Sequence, residues 1–273
     1  MASRYHTVDG VRVFCSATGQ GDPVLLLHGL LMSHRAWDAV LDGLGRRLTV
    51  FAPDLPGFGE SDRPEHYSYS IDAMACTVAG LMDQLGISRA ALVGHSLGGA
   101  VALTLAGVNP ERISRVAAVA PTIYPAPLPI EARVALLPVV GETLFCRGLS
   151  RRGLRRFLRR HVYVDPQLPS DEMLQHYWER LVRPGGRRAV WRTIQTLANL
   201  EQTVRVPRRV SCPTLLVWGE EDAMVPVESG RRLEAEIERA RLLTLRGAGH
   251  CPMEEQAAAF CEAMLPFLCG GER

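Results

Sequence analysis

The sequence predicts an α/β fold, a mostly parallel sheet flanked by helices, with a helical cap inserted into it. Three observations carry that reading. Short apolar runs bounded by glycine and proline alternate with segments whose apolar residues recur at helical spacing. One of those runs passes through a single serine directly into a glycine-rich helix start. A block of roughly eighty residues between two runs shows no strand pattern, too long for a structureless loop in a compact domain.

Taken in order, runs at 11–18 and 24–28 open the series, and 48–52, 90–93, 113–120, 214–218 and 241–245 continue it. They are apolar on both faces, as strands covered by helices on either side must be. Helical patterns fall between them at 70–85, 227–237 and 254–268. In the first, Ile71, Met74, Val78, Leu81, Met82 and Leu85 form one stripe. Strands alternating with helices imply parallel crossovers. The rhythm stops at Pro121. The next stretch opens on the proline-rich segment 121–129, closes at Arg205-Val206-Pro207, and holds helix-like segments at 130–145, 150–161, 170–181 and 186–200. The expected domains are a core of residues 1–120 with 207–273 and a cap of residues 121–206.

Composition narrows the function classes. The chain has 273 residues, 47% hydrophobic and 22% charged, an ordinary globular balance with enough apolar residues for a sizeable core. A net charge of +2 offers no bulk field for nucleic acid or membrane. All 31 cationic side chains are arginine, and they are unevenly placed: residues 121–207 hold fourteen arginines against seven acids. The seven cysteines are odd in number and lack a C-x-x-C pair, which argues against a disulfide framework and a zinc site and for a reducing compartment. The first residues lack a signal peptide's apolar stretch. Residues 90–108 are apolar enough to resemble a membrane span, but His-Ser-Leu-Gly-Gly interrupts them. The expected location is cytoplasmic.

The chemistry starts at Gly94-His95-Ser96-Leu97-Gly98-Gly99, between Ala90-Ala91-Leu92-Val93 and the helical run from Ala100. A serine on such a strand-to-helix turn is lifted clear of the backbone, and the small neighbours allow the backbones to close. Its hydroxyl is a poor nucleophile until a base takes the proton, and the base needs a third group to orient it. Of eight histidines, His250 stands in a glycine-rich loop after a strand, Leu245-Arg-Gly-Ala-Gly249-His250, where it can swing toward the mouth of the sheet. A lone surface histidine is the competing reading. The acid candidate is Asp222, just past the turn that ends Leu215-Leu-Val-Trp-Gly219, and 28 residues ahead of His250. Glu220 and Glu221 are its rivals within the turn. Backbone N–H groups of Leu97 and Leu30 are the candidates for holding an oxyanion. Leu30 follows the strand-ending His28-Gly29, which taken alone reads equally well as an ordinary turn.

With these pieces in place the chain resembles the α/β-hydrolase fold family over nearly its whole length. The motifs are His28-Gly29, the loop from Asp54 to Asp62, Gly94 to Gly99, Gly219-Glu-Glu-Asp222 and Gly249-His250. The resemblance implies a Ser96–His250–Asp222 triad, and it places a variable helical cap where 121–206 falls. It also prunes the chemistry. Haloalkane dehalogenases and epoxide hydrolases of the family use aspartate where this chain has Ser96, and epoxide hydrolases usually carry proline soon after the His-Gly. Hydrolases of carbon–carbon bonds in ring-fission products often place tryptophan after the catalytic histidine, where Cys251-Pro252 stands here. Serine esterases fit best.

Other tempting residues have plainer readings. The resemblance makes the Asp54–Asp62 loop structural. His95 packs beside the nucleophile, and Cys251 behaves as a small apolar residue. The arginines at 147, 151, 152, 155, 156, 159 and 160 share a segment with the stripe Leu154, Phe157, Leu158 and Val162, which reads as an amphipathic cap helix with a solvated basic face. The same asymmetry would also suit an anionic substrate, an acidic carrier protein or a lipid surface. The expected function is hydrolysis of carboxylic esters with small to medium apolar acyl groups, on a small-molecule substrate. No metal or organic cofactor, nucleic acid or integral membrane segment is implied. The alternatives are a thioesterase on coenzyme A or carrier-bound acyl groups, a carbon–carbon hydrolase, and, from another class, a non-catalytic receptor pocket.

Overall fold

The computed structural model describes residues 2–125, 129–200 and 203–270. Its eight strands are β1 (Ala2–Val8), β2 (Val11–Thr18), β3 (Asp22–Leu27), β4 (Leu48–Pro53), β5 (Ala90–His95), β6 (Ile113–Val119), β7 (Thr214–Gly219) and β8 (Ala240–Leu245). They form one sheet in the order β1-β2-β4-β3-β5-β6-β7-β8. β2 pairs antiparallel with β1 and β4, and every later neighbour is parallel. The helices are α1 (Asp38–Gly45), α2 (Ile71–Gln84), α3 (Leu97–Val108), then α4 (Ile130–Ala135), α5 (Gly141–Gly148), α6 (Arg151–His161), α7 (Asp171–Leu181) and α8 (Gly186–Leu197), and finally α9 (Val227–Glu236), α10 (Pro252–Glu255) and α11 (Ala257–Leu268).

β5 and β7 are buried at every residue, which is why their sequences are continuously apolar. α1 packs on α11 and α2 on α3, and the apolar faces of these pairs join strands β3 through β7 in the main core, while Val8, Val11, Val13 and Cys15 of β1 and β2 form a smaller cluster with Leu81 of α2. β1 escaped the sequence reading because six of its seven residues are not buried, so it has no apolar run. Its signal lay in the turn instead. Asp9 and Gly10, with φ of 47° and 80°, are the two residues of a tight hairpin, a conformation that suits Asp-Gly.

α4 to α8 occupy the interval between β6 and β7, as a helical insertion after the sixth strand. The segment read as one helix at 130–145 divides into α4 and α5, with Pro138 in the break, where a ring cannot continue the ladder of N–H donors. The expected 254–268 helix likewise divides into α10 and α11. Residues 126–128 of the proline-rich stretch, 201–202 of the expected cap and the N-terminal Met1 lie outside the described residues. None of the described helices is long and apolar enough to cross a membrane.

The strand order sets the place for chemistry. From β3 the chain moves outward to β4, then returns to β5 beside β3 and continues the other way. Ligands of open α/β sheets bind beyond the carboxyl ends of strands at such a reversal.

Candidate active site

β3 and β5 lie side by side with Leu27 next to Gly94, so the loops leaving their carboxyl ends meet. Ser96 directly follows β5 with φ 52° and ψ −111°, a strained backbone for a residue with a Cβ. Three backbone hydrogen bonds fix it: Ser96 N–H donates to Val119 O (2.8 Å), and its carbonyl accepts from Ala100 N (3.0 Å) and Thr122 N (3.2 Å). The flanking glycines are forced by contact. A Cβ on Gly94 would lie 2.2 Å from Gly98 O, and one on Gly98 would lie 2.2 Å from Leu27 O. The spacing of the motif thus records where backbone segments cross.

Asp222 stands three residues beyond β7 with its side chain fully buried. Oδ1 accepts the N–H groups of Met224 (2.8 Å) and Val225 (2.9 Å), and Oδ2 faces His250 Nδ1 at 2.8 Å. An Nδ1–H donated to the carboxylate leaves Nε2 as the ring's free acceptor. Glu220 meets Thr244 and Arg246 instead, and Glu221 accepts from Gly247 N–H. Of the three acids in the turn, the structure brings Asp222 to the histidine.

His250 is 4% exposed and held at both ends of its backbone. Its N–H donates to Val162 O (2.8 Å), and its carbonyl accepts from His95 Nε2 (2.8 Å). Burial, then the neighbouring His250, pushes the His95 pKa well below the usual histidine range, so His95 is the neutral imidazole that props the loop. Ser96 Oγ is turned toward Thr122 Oγ1, 3.2 Å away, and makes no hydrogen bond to His250 in this arrangement. Sequence reading missed Thr122. The signal available was its position just past the carboxyl end of β6, beside the elbow.

The N–H groups of Leu30 and Leu97 donate to no other group among the described residues. His28 shapes the first of these loops: its Nδ1 donates to Gly29 O (2.8 Å) and its Nε2 accepts from Leu55 N (2.9 Å). The Asp54–Asp62 loop is scaffolding. Burial pushes the Asp54 pKa up, but its bond to His34 and the backbone N–H of Glu60 outweigh it and hold the carboxylate low.

Above the site lies a cavity of about 470 Å³ reaching Ser96, His95 and His250. Its walls are overwhelmingly apolar, with Leu30, Met32, Met224 and Val225 from the core and Leu144, Phe145, Leu154, Phe157 and Leu158 from α5 and α6. Among the described residues the only Asp, Glu or Arg side chains on it are Glu131 and Arg156, both exposed. Two glutamates on α10 tie the cap to the histidine loop. Glu255 accepts from Val164 N (2.7 Å) and Gly249 N (2.9 Å), while Glu254 accepts from the hydroxyls of Tyr163 (2.5 Å) and Tyr177 (3.3 Å). Burial lifts the Glu254 pKa to about 7 against the pull of those hydroxyls.

A strand-borne serine elbow, a buried histidine–carboxylate pair on neighbouring loops and a capped apolar cavity define a hydrolase of the α/β class. The family model described as "Alpha/beta hydrolase family" matches residues 24–263, and the chain belongs to that family. It is 31% identical over 270 residues to 2-hydroxy-6-oxo-6-phenylhexa-2,4-dienoate hydrolase of Burkholderia cepacia, with 95% of this chain and 92% of the relative covered. Among solved structures, a meta-cleavage product hydrolase from Pseudomonas fluorescens IP01 is 28% identical, with a TM-score of 0.82 and 98% of each chain covered. A thermophilic esterase from Thermogutta terrifontis shares the fold at 23% identity, with a TM-score of 0.82 over the full length of both chains.

Proposed function

We propose that this chain is a triad hydrolase that releases an apolar acyl group from a neutral small molecule, a carboxylic ester first of all. The carrying observation is the cavity: it joins Ser96 and His250 to an apolar chamber with no buried cation. In this reading Ser96 Oγ rotates from Thr122 to His250 Nε2, gives up its proton there and attacks the carbonyl. Asp222 stabilises the imidazolium, and the N–H groups of Leu30 and Leu97 receive the oxyanion. His250 returns the proton to the leaving group and then activates the water that frees the acid. Residues 121–206 act as the cap that selects the acyl group, and seven free cysteines fit a cytoplasmic setting.

Kinship favours a second reading more than the first. The relatives above whose identity exceeds 25% act on dienoates or meta-cleavage products, which places carbon–carbon cleavage ahead of ester cleavage on similarity alone. Against it stand Cys251 after the histidine and a lining that offers a substrate carboxylate only the exposed Arg156. A single panel separates the two: p-nitrophenyl esters of increasing acyl length, their thioesters, and a 2-hydroxy-6-oxo-dienoate. The ester reading expects turnover of esters, loss of it in Ser96→Ala, and fluorophosphonate labelling at Ser96. Faster turnover of the dienoate would overturn it in favour of the carbon–carbon reading.

A further inference from the structure

We infer that the outer face of the cap, around the α4–α5 turn, is a docking surface for an anionic lipid membrane. Nine large apolar side chains are exposed among the described residues, and five of them crowd into residues 130–144: Ile130, Leu137, Val139, Val140 and Leu144. Residues 137–140 form an uninterrupted exposed run, Leu-Pro-Val-Val, at whose tip Val139 is 100% exposed with φ 65°. A β-branched residue in that conformation, with no contact to repay it, is costly unless something outside the chain covers it.

The charge around this tip identifies the occupant. Arg133, Arg147, Arg152, Arg156, Arg159 and Arg160, on α4, α5 and α6, are all exposed and form no ion pair among the described residues. Other arginines of the cap are spoken for: Arg155 binds Asp171, Arg180 and Arg183 bind Glu60, and Arg188 binds Glu142. Apolar side chains that enter the headgroup layer, borne on a segment rich in unpaired cations, are the pattern of interfacial binding to anionic lipid. The face also leads somewhere. Leu144 and Arg156 are exposed and at the same time line the cavity of Ser96, so the helices that flank the tip also form part of the cavity wall. A bilayer seated there would deliver an apolar substrate without passage through water.

Flotation of the full chain with vesicles tests this. Wild-type protein should float with phosphatidylcholine vesicles containing phosphatidylglycerol, less as salt rises, and not with phosphatidylcholine alone. Leu137→Ser/Val139→Ser/Val140→Ser and Arg152→Gln/Arg159→Gln/Arg160→Gln should each lower vesicle affinity by about tenfold or more, with hydrolysis of a soluble substrate unchanged. Ser96→Ala should float as wild type does, so failure of the surface and failure of the proposed chemistry are separate results. No flotation of wild type at low salt overturns the inference. So does a loss confined to the arginine variant, the result an acidic carrier protein would give. A wild-type dimer made monomeric by the triple serine variant would assign the tip to a second copy of the chain.

Discussion

The sheet end and the cap hold their polar groups in opposite ways. At the sheet end the acid and the base are buried and committed: Asp222 spends one oxygen on two backbone N–H groups and the other on His250, and His250 is gripped through its own N–H and carbonyl. In the cap the charged groups are at least partly exposed and many are unpaired, while the pairs range from the adjacent Arg180 and Glu179 to the distant Arg183 and Glu60. The first arrangement suits chemistry, where a shift of about 1 Å can cost two orders of magnitude. The second suits admission and docking, where average charge and apolar area matter more than any single bond.

The largest predicted effect tests the committed end. Asp222→Asn keeps the side chain's size but favours the wrong imidazole tautomer and withdraws the counter-charge, so kcat should fall by about 10⁴, the figure the trypsin case gives for the same change. Glu221→Gln, one residue away and bonded only to Gly247 N–H, should stay within a few-fold of wild type. Steady-state kinetics on one good ester decides it. A greater loss at Glu221 would mean that the buried network is not the catalytic one.

The same contrast explains what could be read from sequence. Ser96, Asp222, His250, Leu30 and Leu97 could be proposed from the sequence because local demands produce their motifs: a crossing of backbones that admits only glycine, a turn, a strand end. The parallel sheet was legible through strands buried on both faces. β1 was not, since its outward faces leave no apolar run. Thr122 was not, because its tie to Ser96 is a tertiary contact that no spacing announces. The cap's arginines were visible in the sequence, but which of them are paired depends on tertiary contacts such as that of Arg183 with Glu60, 123 residues away. His95 reads from sequence only as a residue packed beside the nucleophile, and its hold on the His250 carbonyl links residues 155 apart and left no trace in either motif.

A smaller effect is expected where the two regions are fastened. Glu60 receives Arg180 at 2.7 Å and Arg183 at 2.5 Å, and although burial raises its pKa, those two arginines more than offset that and keep it ionised. Glu60→Gln strips the charge from a half-buried site and leaves two cations facing each other, which should destabilise the fold by about 1–2 kcal/mol and lower Tm by roughly 2–4 °C per kcal/mol for a chain of this size. Differential scanning calorimetry measures it. An unchanged Tm would show that the cap rests on its apolar contacts alone.

An effect of similar size concerns Glu254, where the seam between cap and core meets the histidine loop. Its pKa rises from 4.5 to about 7 on folding, burial being the cause. Between those two values the folded state binds more protons than the unfolded one, so this group's contribution to stability falls as pH rises and levels off above about 7. Glu254→Gln carries no charge to desolvate and still offers an oxygen to the Tyr163 hydroxyl. Its stability relative to wild type should therefore improve by about 1–3 kcal/mol between pH 5 and pH 8, as read from urea unfolding at the two pH values. If wild type gains on the variant instead, the hydroxyls of Tyr163 and Tyr177 outweigh burial, Glu254 is an ionised anchor, and the seam belongs with the committed groups of the sheet end rather than with the looser charges of the cap.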